Sequence, residues 1–383
     1  MIARLLAVAL GLALAATAAW LLLTRLGPDS TSPITLRDGR ADVVELQQEL
    51  GAGNVAGVGS RRGRGGHILL NAPIAERLFG IKERGLQYDP LAYFRRPAFQ
   101  RMAYKWAEHP AGGWRLKTNS LGLREDEELS VERPGLRVFV TGDSHTDGVC
   151  ENPESFSNLL EASLRSAGKD AEVNNAGVGG YSFYNYLGAL DRFTEFGVDA
   201  YVVGVYGGND FLGVLGPHRF FAGEEIPAPV PNGPRIGKAA SIKAAALSQG
   251  FFAYDHFAKH PEDIDLAVSA GVETTLAIQG NCDDLGARLI VVYIPPVYDV
   301  DPELVAEDRT AIQEVLELTD EQLGCTDRQA DAYLAALEEA GVEVLDLRPI
   351  FSAAEEPLYW QLDHHINLAG HRLIADELAK RFP

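Results

Sequence analysis

Cysteine is scarce in this chain. Its 383 residues include three, Cys150, Cys282 and Cys325, and no CxxC pair. That excludes a zinc ribbon and a disulfide-dense scaffold. An odd count leaves at least one thiol without an intrachain partner. In an oxidising compartment a single bridge would join Cys282 to Cys325; three free buried thiols are the other reading. Positive charge is also short, with 34 Lys and Arg against 54 Asp and Glu for a formal charge of −20. Neutralising phosphates needs a basic surface, so the balance argues against nucleic acid as a partner. HExxH and similar ligand spacings are missing, which leaves little basis for a metal centre. What is present, 46% hydrophobic residues, suits a globular protein and neither a disordered nor a polytopic membrane chain. At this length a full core forms without staples.

Long apolar runs are rare, and one stands out: Leu5 to Leu23, preceded by Arg4. At 1.5 Å per residue it is long enough to cross most of a bilayer core of about 30 Å. Ala16-Thr17-Ala18 offers a small-residue cleavage site for a signal peptide. Trp20-Leu21-Leu22-Leu23 carries the run past that site, and Trp20 suits an interface belt. This favours an uncleaved signal anchor over residues 1–26, with the remainder in the periplasm or outside the cell; cleavage would make the protein secreted.

Residues 27–133 read as a preamble. Ala41 to Leu50 resembles a short helix, and Gly51 to Gly66 a glycine- and arginine-rich linker. The GxGxxxG string inside it follows a helix-like stretch where a dinucleotide fold needs a strand, so that reading is rejected. The stretches YDPLAYFRRPAF and KTNSLGLRED suggest a compact mixed unit packed on the next domain.

From about residue 134 strands alternate with helices. Leu136–Val140, Val173–Asn175, Ala200–Tyr206, Leu289–Ile294 and Val342–Leu347 read as strands. Ala200–Tyr206 is continuously apolar, the type buried on both faces. Pro153 to Gly168 reads as a helix, with Phe156, Leu159, Leu160 and Leu164 at three- to four-residue spacing. A last helix starts near Leu368, with Asn367 placed to cap it. The alternation predicts an α/β fold with a parallel sheet between helical layers, its ligands beyond the carboxyl ends of the strands. Two insertions, 212–263 and 302–327, are long enough to be lids or binding surfaces; the acidic second one also reads as a solvated face.

The strand ends carry the polar residues. Gly142-Asp143-Ser144-His145 follows the first, Asn175 to Gly180 the second, and Gly207-Gly208-Asn209-Asp210 the third. Asp363-His364-His365 precedes the final helix. These are the parts of an acyl-transfer site. A serine needs a base to take its proton, and a histidine held by a carboxylate supplies one. The resulting oxyanion needs aimed donors, which the Ser144 N–H, the Gly180 N–H and the Asn209 amide can provide. Asp363 and His365, two apart, would share a face in an extended segment, with His364 turned towards solvent or the sheet's flank. His145 reads as a pocket residue or an exposed turn residue, Asp147 and Asp210 as turn and supporting groups, and His371 as packing or capping. Adjacent Asp363, His364 and His365 are poorly placed to aim at one metal ion.

In these blocks the sequence resembles the SGNH/GDSL hydrolase superfamily. Gly142-Asp143-Ser144 matches its first block, Gly180 its oxyanion glycine, Asn209 within GGND its asparagine, and His365 within HxNxxGH its histidine. KTNSLGLR also resembles a segment of membrane-anchored members. The acid lies two residues before the histidine where the family often has three, and the role is carried onto Asp363. The resemblance covers about Leu136 to the C-terminus. It implies a flavodoxin-like, three-layer fold with a five-stranded parallel sheet, a domain spanning 134–383. It also implies catalysis by Ser144, Asp363 and His365 without a cofactor, with Ser144, Gly180 and Asn209 as the oxyanion hole. The expected activity is that of a serine esterase or acyltransferase on an acylated, for instance acetylated, carbohydrate or envelope component, with contact to the membrane through the N-terminal helix. A non-catalytic binding or assembly module on the same fold is the alternative.

Overall fold

The computed structural model describes residues 67–82, 84–130, 132–223 and 250–383. The run Leu5–Leu23, the helix expected at 41–50, the linker at 51–66 and residues 224–249 of the first insertion lie outside the described residues.

The preamble contains α1 (Ala72–Phe79) and two antiparallel hairpins, β1 (Gln87–Asp89) with β2 (Tyr93–Arg95) and β3 (Arg101–Lys105) with β4 (Gly113–Lys117). Asn71 starts α1 by accepting the Ile74 N–H, and left-handed Gly80 ends it, as helix capping requires.

The main sheet has five parallel strands, β5 (Leu136–Gly142), β6 (Ala171–Asn175), β7 (Ala200–Tyr206), β8 (Arg288–Ile294) and β9 (Glu343–Asp346). Their order is β6-β5-β7-β8-β9. This is the flavodoxin-like order, with its switch point between β5 and β7. Every residue of β7 is buried, as its unbroken apolar sequence demands for a central strand. Edge strand β6 is buried despite its polar sequence. Glu172 there pairs with Arg137, and the Asn175 amide donates to the Thr146 carbonyl, so these two polar side chains are satisfied internally, while the buried Asn174 amide nitrogen has no partner among the described residues.

The helices are α2 (Ser144–Asp147), α3 (Phe156–Ser166), α4 (Phe183–Phe193), α5 (Asp210–Phe221), α6 (Phe251–Lys259), α7 (Asp263–Leu285), α8 (Val297–Val300), α9 (Ala306–Leu316), α10 (Asp320–Leu323), α11 (Cys325–Glu339), α12 (Arg348–Ser352) and α13 (Leu368–Ala379). Helix α13 packs on α3, while α7 packs on α4, α5 and α11. Right-handed crossovers through a reversing strand order put these two groups on opposite faces of the sheet.

Three expectations change. The helix expected from Pro153 to Gly168 is broken: Asn152–Glu154 is a separate 3-10 turn, and Ser155, extended, caps α3 by accepting the Asn158 N–H. The Cys282–Cys325 bridge is not formed; all three thiols are free and buried. His364 is fully buried and turned neither to solvent nor to an open flank. Asn367 does cap α13, accepting the Ala369 and Gly370 N–H groups.

Candidate active site

Three groups converge where β5 and β7 part. Beyond β5, the Asp143 carboxylate accepts the His145 N–H at 2.9 Å and caps α2. That places Ser144 at the first helical position, whose N–H has no partner within the helix. Beyond β6, the Tyr181 N–H closes a turn on the Val178 carbonyl at 3.0 Å. Gly180 sits in this turn with φ +80°, a conformation glycine adopts without strain. Its N–H has no acceptor among the described residues. Gly179 lies against the serine: a Cβ built there would be 3.6 Å from Ser144 Cβ. Beyond β7, Asn209 precedes α5, and its amide donates to Asp143 Oδ2 at 3.2 Å, leaving its second N–H.

The loop before α13 brings the histidine. His365 Nε2 is 2.8 Å from Ser144 Oγ, and His365 Nδ1 is 2.8 Å from Asp363 Oδ2. With Nδ1 donating to the carboxylate, Nε2 accepts the serine O–H. The route to this pairing differs from the extended segment expected. His364 has φ +61°, and Asp363 Oδ1 accepts the His365 N–H at 3.1 Å. A tight turn, not strand alternation, joins acid to histidine. His364 goes into the protein, edge-on to Tyr298, with Nε2 3.2 Å from Asp308 on α9. Burial lowers its pKa, opposed by Asp308, Asp363 and Glu108.

Sequence reading missed the groups that hold this loop. Glu108, in the turn between β3 and β4, accepts the Gln361 and Leu362 N–H groups at 3.0 and 2.9 Å. The Trp360 indole donates to the Val149 carbonyl at 3.2 Å. Asp308 meets His364 from the acidic insertion. Arg124, the last residue of TNSLGLR, is fully buried. It donates to Asn152 Oδ1 at 3.1 Å and to the Gly148 and Cys150 carbonyls, with the Trp114 ring beside it. It therefore ties down the segment after α2. The motif was visible in the sequence; its target was not.

Beneath the serine lie two buried carboxyls. Burial raises the Asp143 pKa against the pull of its hydrogen bonds and of His365. Asp210 is pushed well above the usual range, first by burial and then by Asp143. Its Oδ2 accepts the Tyr186 O–H at 2.7 Å and the Tyr206 N–H at 2.9 Å. His145 is buried, its ring 3.7 Å from that of Tyr206 and 4.8 Å from that of His365. It packs behind the histidine and is not an exposed turn residue. Asp147 is bound by Arg96 through both oxygens. His371 accepts the Phe156 N–H on Nδ1 at 3.2 Å, so it caps α3 from a neighbouring helix. Among the described residues no group of three or more His, Cys, Asp or Glu side chains is placed to hold a metal ion.

A family model, the GDSL-like lipase/acylhydrolase family, matches residues 140–373, well over half of the chain. The chain belongs to this family. It is an ester hydrolase of the SGNH/GDSL superfamily, and the α/β domain with its five parallel strands is the GDSL domain. Comparison with curated proteins finds no match. Solved structures similar to the hydrolase include an acetyl xylan esterase, AlAXEase, 18% identical, covering 65% of this chain and all of that one with a TM-score of 0.39. A catalytic mutant of an acetylxylan esterase from Geobacillus stearothermophilus is 12% identical, covering 66% of this chain and 95% of that one, with a TM-score of 0.39. The psychrotrophic esterase EstA from Pseudoalteromonas sp. is 14% identical, covering 64% and 96%, with a TM-score of 0.37. No described helix is long and apolar enough to cross a membrane.

Proposed function

We propose that this hydrolase is a serine esterase working through an acyl-enzyme, with Ser144 as nucleophile, His365 as base and Asp363 as its orienting acid. The observation that carries the proposal is the position of the His365 ring, bonded to Ser144 through Nε2 and to Asp363 through Nδ1. In the first step Ser144 Oγ attacks the ester carbonyl carbon while its proton passes to Nε2. The carbonyl oxygen becomes an oxyanion, for which the Ser144 N–H, the Gly180 N–H and the free Asn209 amide proton are the donors. Collapse breaks the bond to the alcohol, which leaves with the proton from Nε2. Water, or a sugar hydroxyl in a transferase, then attacks the acyl-serine carbonyl while giving its proton to His365 Nε2; collapse breaks the bond to Ser144 Oγ, which takes the proton back from Nε2 as the acid or the new ester leaves.

The substrate class proposed is an acyl ester of a carbohydrate or cell-envelope component, acetyl being the first acyl group to test. The N-terminal apolar run motivates this placement, in a membrane-anchored protein whose domain lies outside the cytoplasm. A fluorophosphonate probe tests the mechanism: covalent labelling of Ser144, lost in Ser144→Ala, is expected. A folded protein that neither labels nor cleaves aryl acetates would be a binding module instead. Graded aryl esters, with and without glycan acceptors, separate acyl length and transfer from hydrolysis.

A further inference from the structure

The chain is strongly acidic, yet three arginines of its preamble reach the strand ends around Ser144. Two are already engaged. Arg96 is neutralised by Asp147, and Arg124 is buried and spent on carbonyls. Arg84 is different. It makes no ion pair with any carboxylate among the described residues, and its one hydrogen-bond acceptor there is the Gly179 carbonyl. A guanidinium has five N–H donors, so most of its donors remain available. The side chain is exposed but not loose. The Phe94 ring lies 5.2 Å from its central carbon, and the guanidinium lies close against Gly180, where a Cβ would collide with it. Gly180 is the glycine whose N–H is the proposed oxyanion donor, and a Cβ on Gly179 would lie 3.6 Å from Ser144 Cβ.

Resting on the serine-esterase reading, we infer that the site takes esters carrying an anionic group, a carboxylate or phosphate, close to the scissile bond, and that Arg84 binds that group. The cation is held one residue from an oxyanion donor, behind an aromatic face and open to solvent in front. A substrate anion there meets planar, paired donors that no carboxylate among the described residues occupies, the geometry in which arginine binds oxyanions bidentately. Although exposed on one side, Arg84 is partly desolvated by its surroundings, which, with Arg96, lowers its pKa; pairing with an anion offsets both effects. An acylated uronate and an acylated sugar phosphate share this chemistry, and either satisfies the carbohydrate-ester reading.

The test uses the full chain and three aryl acetates of one shape: 4-acetoxybenzoate, its neutral methyl ester, and 4-acetoxyphenyl phosphate. Wild type should favour an anionic ester in kcat/KM, through KM, with the preference shrinking as salt rises. In Arg84→Gln the anionic-to-neutral ratio should fall about tenfold, the scale of one charge-assisted contact; Arg84→Lys should keep part of it. Which anionic ester leads tells carboxylate from phosphate. An equal ratio in wild type and Arg84→Gln overturns the inference, as does an equal loss on all three esters, which would make Arg84 a general support of the site. If wild type cleaves none of them and takes no fluorophosphonate on Ser144, the esterase reading itself has failed. Binding of 4-hydroxybenzoate and 4-hydroxyphenyl phosphate to Ser144→Ala still decides the anion site: binding that ignores Arg84→Gln, or none, overturns it.

Discussion

Glu108 and Leu362 are 254 residues apart in sequence, and the Glu108 carboxylate accepts the Leu362 N–H at 2.9 Å. The same carboxylate holds the Gln361 N–H. The preamble thus fixes the turn from which Asp363 and His365 emerge. Glu108→Ala should leave the reacting groups present but less well aimed. We expect kcat to fall about tenfold with KM little changed, since small misplacements in a preorganised site are costly. Glu108→Gln, which keeps an acceptor oxygen, should recover part of the loss. Steady-state kinetics on an aryl acetate check this. A loss confined to KM, or no recovery in Glu108→Gln, would remove the positioning role.

Ser144→Ala removes one hydroxyl at a capped helix start and leaves the Asp143 cap intact. It should abolish turnover while leaving the circular dichroism spectrum and melting temperature close to wild type. Asn209→Ala removes an oxyanion donor and should lower kcat by roughly a hundredfold or more. An active Ser144→Ala enzyme would end the proposed mechanism, and an unchanged kcat in Asn209→Ala would take Asn209 out of the hole.

His364 and His365 should separate cleanly. His365→Ala should cost at least about a thousandfold in kcat, as loss of a triad base does. His364→Ala should cost much less in kcat. It should destabilise the fold by about 1–3 kcal/mol, because it empties a buried position beside Tyr298 and Asp308. His364→Asn should do better than His364→Val, since asparagine tolerates the left-handed backbone and a β-branched residue does not. Paired rate and denaturation measurements on folded variants check the order. A folded His364→Ala with the larger loss of kcat would shift the base by one residue.

Local pattern made the sheet legible. Ala200–Tyr206 reads as a buried central strand because seven residues without an exposed polar position fit little else. Asn367 reads as a cap because its side chain acts two and three residues away. The reacting residues were legible because each stands at a strand end or just before a helix. The groups that aim them were not. Glu108, Asp308 and Arg84 act on residues far along the chain, through hairpins and an insertion whose placement no local period encodes. His364 was misread because its left-handed backbone breaks the two-residue alternation assumed for an extended segment. Cys282 and Cys325 lie too far apart in sequence for spacing to tell a bridge from two buried thiols.

The buried His371 makes stability depend on pH. Its Nδ1 accepts the Phe156 N–H, which requires the neutral ring, and burial with the nearby charges of Arg124 and His365 lowers its pKa to about 3. In the unfolded chain the same ring titrates near its ordinary value of 6.5. Above that value both states are neutral and the contribution is intact. As pH falls from 6.5 towards 3 the unfolded chain takes up a proton that the folded one refuses. Stability is then lost at up to about 1.4 kcal/mol per pH unit, on the order of a few kcal/mol in all. His371→Gln can still accept the Phe156 N–H and does not titrate. The variant should be somewhat less stable than wild type at about pH 7, because the imidazole packs on Phe156. The gap should narrow or reverse by about pH 4. Melting temperatures of both proteins at about pH 7, 5.5 and 4 measure it, and protonation of carboxylates common to both cancels in the difference. A gap that stays constant over this range would show that His371 does not remain neutral in the fold.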